Sequence, residues 1–281
     1  MIGPTDVRRV VLVVLDGLRP DAIDRFDLTH VRGLAAASAS TLAARTVTPS
    51  VTAAAMASIF SGVPPAYHGL ESDRFHIPRS RGPLHLIPRL LADAGQPTSA
   101  FIHHVPLLYG ALAKRIARHV GVTKAHFGGE CAEAILAAAR PTLETQRRGL
   151  IMLHWPDADR AGHEYGWMSA GYERGARALD ASLGTLVDEL DLARDPATLL
   201  IAFSDHGGGG AVANDHDSDH PLDQTIMVML AGAAVEPHEL PGPVSLLDIP
   251  ATILWSLGVS RPASYAGRVL IEGFQPAVAA A

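Results

Sequence analysis

The 281-residue sequence predicts a three-layer α/β/α sandwich, a largely parallel sheet covered by helices on both faces. Three observations predict it. Short apolar runs rich in Val, Ile and Leu are bounded by turn residues, the pattern of strands buried on both faces. Segments with helical spacing lie between those runs, and such alternation builds parallel sheets through helical crossovers. The chain is 48% hydrophobic and 19% charged, with no internal repeat or low-complexity linker, so one domain over 1–281 is expected.

The elements follow in order. "VVLVVLD" (10–16) is the first strand. "TAAAMASIF" after Pro49 is a helix of strong formers, with Thr52 at its cap or first turn. The Arg- and Pro-rich stretch Phe75–Pro83, next to Arg74, reads as an exposed loop. "HLIPRLLADAG" (85–95) is a helix that stops at Gly95, and "TSAFIHH" (98–104) is a strand. "ECAEAILAAARPTLETQ" (130–146) is helical with a break or kink expected at Pro141. "GLIMLHW" (149–155), the long helix 169–191, "TLLIAFSD" (198–205) and "TIMVML" (225–230) complete the pattern.

The balance of charge excludes some functions. A net charge of −6 with mixed signs leaves no basic stripe for a nucleic acid polymer. No run of about 18 apolar residues offers a membrane span, and "MIGPTDVRR" lacks a signal peptide's apolar stretch, so a cytoplasmic protein is expected. The lone Cys131 rules out an internal disulfide framework.

Three strands run into acidic residues: Asp16, Asp157 or Asp159, and Asp205. In an open parallel sheet these strand ends face the ligand crevice. Carboxylates converging there repel one another unless a cation lies between them. Asp159 has His163 four residues on, and Asp205 is followed by His206, so the donor set suits zinc, manganese or iron better than calcium. Glycines 207–210 would let the backbone turn close to that site. Thr52, at the positive end of a helix, is either a plain cap or a nucleophile; Ser50 is the rival hydroxyl.

Five stretches carry a resemblance. "VLVVLDGLRPD", "TPSVTAAAMASIFSGVPPAYHG", "PDADRAGHEYG", "FSDHG" and "SLLDIPATILWSLGV" occur in the order and approximate spacing of the alkaline phosphatase superfamily. The chain most resembles its type I phosphodiesterase/nucleotide pyrophosphatase branch, over nearly its whole length. The resemblance implies two divalent transition-metal ions, zinc favoured and manganese the alternative. Asp16, Thr52, Asp205 and His206 would surround one; Asp159, His163 and His216 would hold the other, with His220 in reserve for His216. It implies hydrolysis of a small phosphate ester through a phospho-threonine on Thr52, diesters or nucleotide pyrophosphates favoured. The alternatives are a phosphomonoesterase or phosphonate hydrolase on the same site, or a metal-binding member without turnover. A phosphomutase would need a cap domain for which 281 residues leave little room. The absence of Cys-x-Pro-x-Arg or Ser-x-Pro-x-Arg around Thr52 argues against a sulfatase.

Two positions depart from the implied pattern. An Asn that holds a phosphoryl oxygen is expected three residues past the nucleophile, where this chain has Ala55, and Gly208 replaces a Met. Among other residues, Arg19 and Asp21 are expected to pair, His154 to be a hydrogen-bonded core residue, and His68 to serve a turn. His103 and His104 end a strand at the same edge, as candidates for substrate contact or loop packing.

Overall fold

The computed structural model describes residues 6–73, 79–103 and 107–275, with backbone alone for 107–112. Arg74, His104 and part of the Phe75–Pro83 stretch lie outside the described residues. Eight strands form one sheet: β1 (Arg9–Leu15), β2 (Ala39–Arg45), β3 (Thr98–Ile102), β4 (Lys124–Phe127), β5 (Gly149–Trp155), β6 (Thr198–Phe203), β7 (Thr225–Ala231) and β8 (His238–Glu239). Their order is β4-β3-β5-β1-β6-β7-β2-β8. The five runs read from the sequence are β1, β3, β5, β6 and β7. Three more strands join them: β2 is short of large apolar residues, β4 has four residues and β8 two.

Every residue of β1, β5 and β6 is buried, as the continuous apolar runs require. Alternate side chains feed two cores. Val10, Leu12 and Val14 pack with the helices Thr52–Ser61 and Asp248–Ser256 on one face. Val11, Val13 and Leu15 pack with the helices Ala132–Thr145 and Ala170–Leu190 on the other. This is the expected three-layer arrangement. Pro141 neither breaks nor ends its helix, which continues to Thr145. The long helix begins at its predicted cap, where Ser169 accepts a hydrogen bond from the Tyr172 amide.

Strand direction decides what reaches the sheet edge that carries Asp16 and Asp205. β5, β1 and β6 are adjacent and parallel, so their carboxyl ends lie side by side. β7 is antiparallel to β6, so its amino end, and the loop before it, come to that same edge. β2 is antiparallel to β7 and therefore runs with β1, delivering residues 46–52 there as well. No helix among the described residues is long and apolar enough to cross a membrane.

Candidate metal centre and nucleophile

Asp16 directly follows β1, and Asp205 and His206 lie two and three residues past β6. Asp159 and His163 sit on the helix Asp157–Tyr165 that follows β5, four residues apart and so on one face, with Nε2 and Oδ1 3.5 Å apart. His216 arrives on the loop before β7. Thr52 is the first residue of its helix, after Val51 at the cap; its hydroxyl caps nothing and lies 3.1 Å from His206 Nε2. The structure thus brings together all seven positions singled out in the sequence.

The rival residues are occupied elsewhere. Asp157 Oδ2 accepts the Ala132 amide at 2.7 Å, at the start of another helix. The buried Ser50 hydroxyl donates to the His216 carbonyl. His220 Nδ1 accepts the Leu222 amide at 3.2 Å and caps a short turn of helix. His154 is buried with Nε2 2.9 Å from Asp16 Oδ2, and His103 stacks edge-on against it at 5.6 Å. His68 is buried between Ser58 and the Leu70 amide. Arg19 binds Asp21 through two hydrogen bonds and also donates to the Gly208 carbonyl at 3.1 Å, tying the loop after β1 to the loop after β6.

Backbone carbonyls orient the three imidazoles. His206 Nδ1 faces the Gly207 carbonyl at 2.8 Å, His216 Nδ1 the Ser50 carbonyl at 2.7 Å, and His163 Nδ1 the Asn214 carbonyl at 3.0 Å. A carbonyl only accepts, so each Nδ1 carries the proton and each Nε2 is turned toward the cluster, the support common behind metal-ligating histidines. His163 Nε2 and His216 Nε2 then face each other at 3.0 Å. With both rings neutral, two lone pairs oppose one another there. The carboxylates show the same shortage of donors: Asp16 Oδ1, Asp159 Oδ1 and Asp205 Oδ2 are buried with no hydrogen-bond partner.

The donor spacing fits small tetrahedral ions. Ligands about 2.0–2.1 Å from such an ion stand roughly 3.3 Å apart. His206 Nε2 lies 3.1 Å from Thr52 Oγ1, 3.3 Å from Asp16 Oδ1 and 3.6 Å from Asp205 Oδ2. Asp159 Oδ1 lies 3.5 Å from both His163 Nε2 and His216 Nε2. His206 and Asp159 link the two groups at 3.8 Å. Asp215, which the sequence reading did not single out, also brings a carboxylate within ligand reach of His163 and His216.

The electrostatics are strained in the metal-free chain. Burial, then the Asp16 charge, pushes Asp205 up to about 6 and Asp159 well above the carboxylate range. Burial acts on Asp16 too, but His154 and His206 outweigh it and hold Asp16 low. Burial lowers His206 and His154, but neighbouring carboxylates prevail, Asp205 and Asp16 respectively, and both are raised. Burial and His206 bring His216 down to about 3. Histidines raised above 6.5 stabilise the fold below that pH and lose the contribution as pH rises through their folded values. His216, shifted the other way, is already neutral in both states above 6.5. The chelated protein is therefore expected to lose thermal stability as pH rises above about 6.5, read as a falling Tm. The zinc-loaded protein should not follow, because a bound cation takes over the protons' role.

The glycines after His206 are there for contact. A Cβ on Gly207 would stand 1.9 Å from the Leu222 carbonyl oxygen, and one on Gly208 2.1 Å from the Trp167 ring. Trp167 Nε1 and the Tyr172 hydroxyl both donate to the Gly17 carbonyl, at 3.0 and 2.9 Å, clamping the loop beside Asp16. No larger residue, a Met included, fits at 208 without moving that clamp. Gly208→Ala should cost about 1–3 kcal/mol, measured by urea unfolding; a cost below about 0.5 kcal/mol would show the ring is free to move.

Ala55 is fully buried in the core beneath the sheet and brings no polar group to the helix start. The residue that does reach the start of the Thr52 helix is Asp73, whose Oδ1 accepts the Ala53 amide at 2.8 Å. It lies in a loop with no local motif to mark it.

A family model described as type I phosphodiesterase / nucleotide pyrophosphatase matches residues 10–91 and 91–241. Murine ectonucleotide pyrophosphatase / phosphodiesterase 5, solved as an inactive threonine-to-alanine variant in complex with AMP, superposes with a TM-score of 0.70 at 14% identity, over 90% of this chain and 96% of that one. The lipoteichoic acid synthase LtaP from Listeria monocytogenes gives 0.69 at 16%, over 95% and 75%. A phosphonate monoester hydrolase from Silicibacter pomeroyi gives 0.69 at 16%, over 97% and 78%. These likenesses show the shared fold. No curated protein sequence matches significantly.

Proposed function

The chain belongs to the type I phosphodiesterase / nucleotide pyrophosphatase family, and from that premise we propose that it hydrolyses small phosphate esters, diesters or nucleotide pyrophosphates first, with Thr52 as nucleophile. The observation that carries this is the set of donors facing one another without protons to share: His163 Nε2 opposite His216 Nε2, with three unpartnered carboxylate oxygens and the Thr52 hydroxyl beside them.

The residues fit two divalent transition-metal ions, zinc before manganese. Asp16, Asp205, His206 and Thr52 would hold one, and Asp159, His163 and His216 the other, with Asp215 within reach. Bound ions of this kind supply Lewis acidity and lower the pKa of a coordinated hydroxyl. Thr52 Oγ attacks phosphorus, the P–O bond to the leaving alcohol breaks, and the phosphoryl group passes to Thr52. Water then cleaves that ester, releasing phosphate or its monoester and restoring the hydroxyl. The Thr52 helix directs its amino end at the developing negative charge. His154 holds one oxygen of Asp16, leaving the other turned to the cluster. The murine structure, an inactive threonine variant in complex with AMP, supports a threonine nucleophile and a nucleotide-type ester.

The test is metal analysis of the purified protein with assays on bis-p-nitrophenyl phosphate, p-nitrophenyl phosphate and p-nitrophenyl methylphosphonate, before and after chelation. Close to two ions per chain, with diesterase activity lost on chelation and restored by zinc or manganese, is expected. A faster monoester or phosphonate reaction would keep the site and move the substrate. No metal bound and no activity after reconstitution would overturn the reading.

A further inference from the structure

The residue at the mouth of this site with no assigned task is Asp73. Its exposed carboxylate accepts the Ala53 amide at 2.8 Å, one residue from the nucleophile. The first amides of a helix have no partner within it, and with Thr52 as nucleophile those around it would face the transferred group. Asp73 therefore puts a fixed negative charge where the transferred group's outer oxygens have to come. Its charge reaches the cluster: burial and Asp16 do most to raise Asp159, and Asp73 adds to the same shift. Among the described residues no ion pair neutralises Asp73.

A substrate's charge then decides its cost of entry. The transferred group of a phosphodiester or a phosphonate monoester carries one negative charge and can turn a neutral ester oxygen or carbon toward Asp73. A phosphomonoester near neutral pH carries almost two, spread over three equivalent oxygens, and cannot. Repulsion between like charges scales with their product, so the monoester pays roughly double, an effect that is largest at low ionic strength because the Asp73 carboxylate is exposed. Juxtaposed like charges are a recognised way to reject a wrong ligand.

We propose that Asp73 is a specificity-determining residue that selects singly charged esters against dianionic ones by occupying the amide at the start of the Thr52 helix. This rests on the reading of the site given above and names its substrate class by charge.

Asp73→Asn keeps an oxygen to accept the Ala53 amide and removes the charge. On the zinc-loaded protein at pH 8, kcat/KM for p-nitrophenyl phosphate should rise about tenfold, and the values for bis-p-nitrophenyl phosphate and p-nitrophenyl methylphosphonate should rise less, by about threefold. A second measurement avoids turnover: affinity for inorganic phosphate should tighten about tenfold in the variant, and affinity for dimethyl phosphate only about threefold. Asp73→Ala separates charge from capping. It should repeat the shift in selectivity with some loss of thermal stability, which Asp73→Asn should not show. If the ratios stay within twofold of wild type in both assays, Asp73 only caps the helix and the proposal fails. If no ester is turned over by any form but phosphate binding to Asp73→Asn tightens more than dimethyl phosphate binding, the charge selection stands and the hydrolase reading is what has failed.

Discussion

Thr52→Ala is expected to lower ester hydrolysis by about 10³- to 10⁶-fold while metal content and thermal stability stay near wild type, as when a nucleophile acting within a concerted unit is removed. The structure separates chemistry from folding at this position. Thr52 makes no capping hydrogen bond, Val51 holds the cap, and alanine is the better helix former. Asp16, Asp205 and His206 stay in place as donors. The contrasting variant is Ser50→Ala, whose buried hydroxyl holds the backbone at His216. Its loss should loosen that histidine and reduce metal affinity first, with activity falling only as metal is lost. Metal analysis beside single-turnover assays reads both. A Thr52→Ala protein within tenfold of wild-type activity would remove threonine from the reaction.

Asp205→Asn is the second large effect, and its sign reverses with metal. In the wild-type chain Asp205 is fully buried, with Oδ1 accepting the Gly17 and His206 amides at 3.2 and 3.1 Å and Oδ2 unpartnered. The amide keeps the first two contacts and removes a buried charge that costs free energy when no cation neutralises it. After chelation at pH 8, above the value near 6 to which Asp205 is pushed, the variant should be more stable than wild type by about 1–3 kcal/mol. With zinc in excess the order should invert, because the variant has lost an anionic ligand, and zinc affinity should fall by more than 100-fold, beyond the 10–100-fold typical of losing a partner behind a ligand. Unfolding curves with and without zinc measure both. A variant less stable than wild type in both states would mean that the attraction of His206 and His154 outweighs the cost of burying the Asp205 charge.

Much of this was legible in the sequence for one physical reason: strands buried on both faces are unbroken apolar runs, and the polar residues that end them lie at the sheet edge. Asp16, Asp205 and His206 stand out that way, and helical spacing joins Asp159 to His163. Strand direction was not legible, because β7 is as apolar as the parallel strands although it runs against β6. Nor was β2, where Ala, Ser and Thr give little contrast between faces. Choosing His216 over His220 needed the loop's path, since both follow aspartates in the same short stretch. Asp73 shows the harder limit. Distance from Thr52 along the chain says nothing of which side chain reaches its helix once a loop folds back, and Asp73 does so from 20 residues beyond Ala53.

The reversal of β7 also governs when the cluster can exist during synthesis. Its donors come from distant segments, as the 166-position separation between His216 and the Ser50 carbonyl that orients it shows. His216 reaches the others only after β7 has docked against β6, so a growing chain with β1, β5 and β6 already paired still holds only part of the donor set. Pairings between such distant segments close late and slowly. On the two-metal reading, the full donor set would assemble only in a chain whose sheet is nearly finished. Ions held there would join residues from Asp16 to His216, and part of their affinity would become folding free energy.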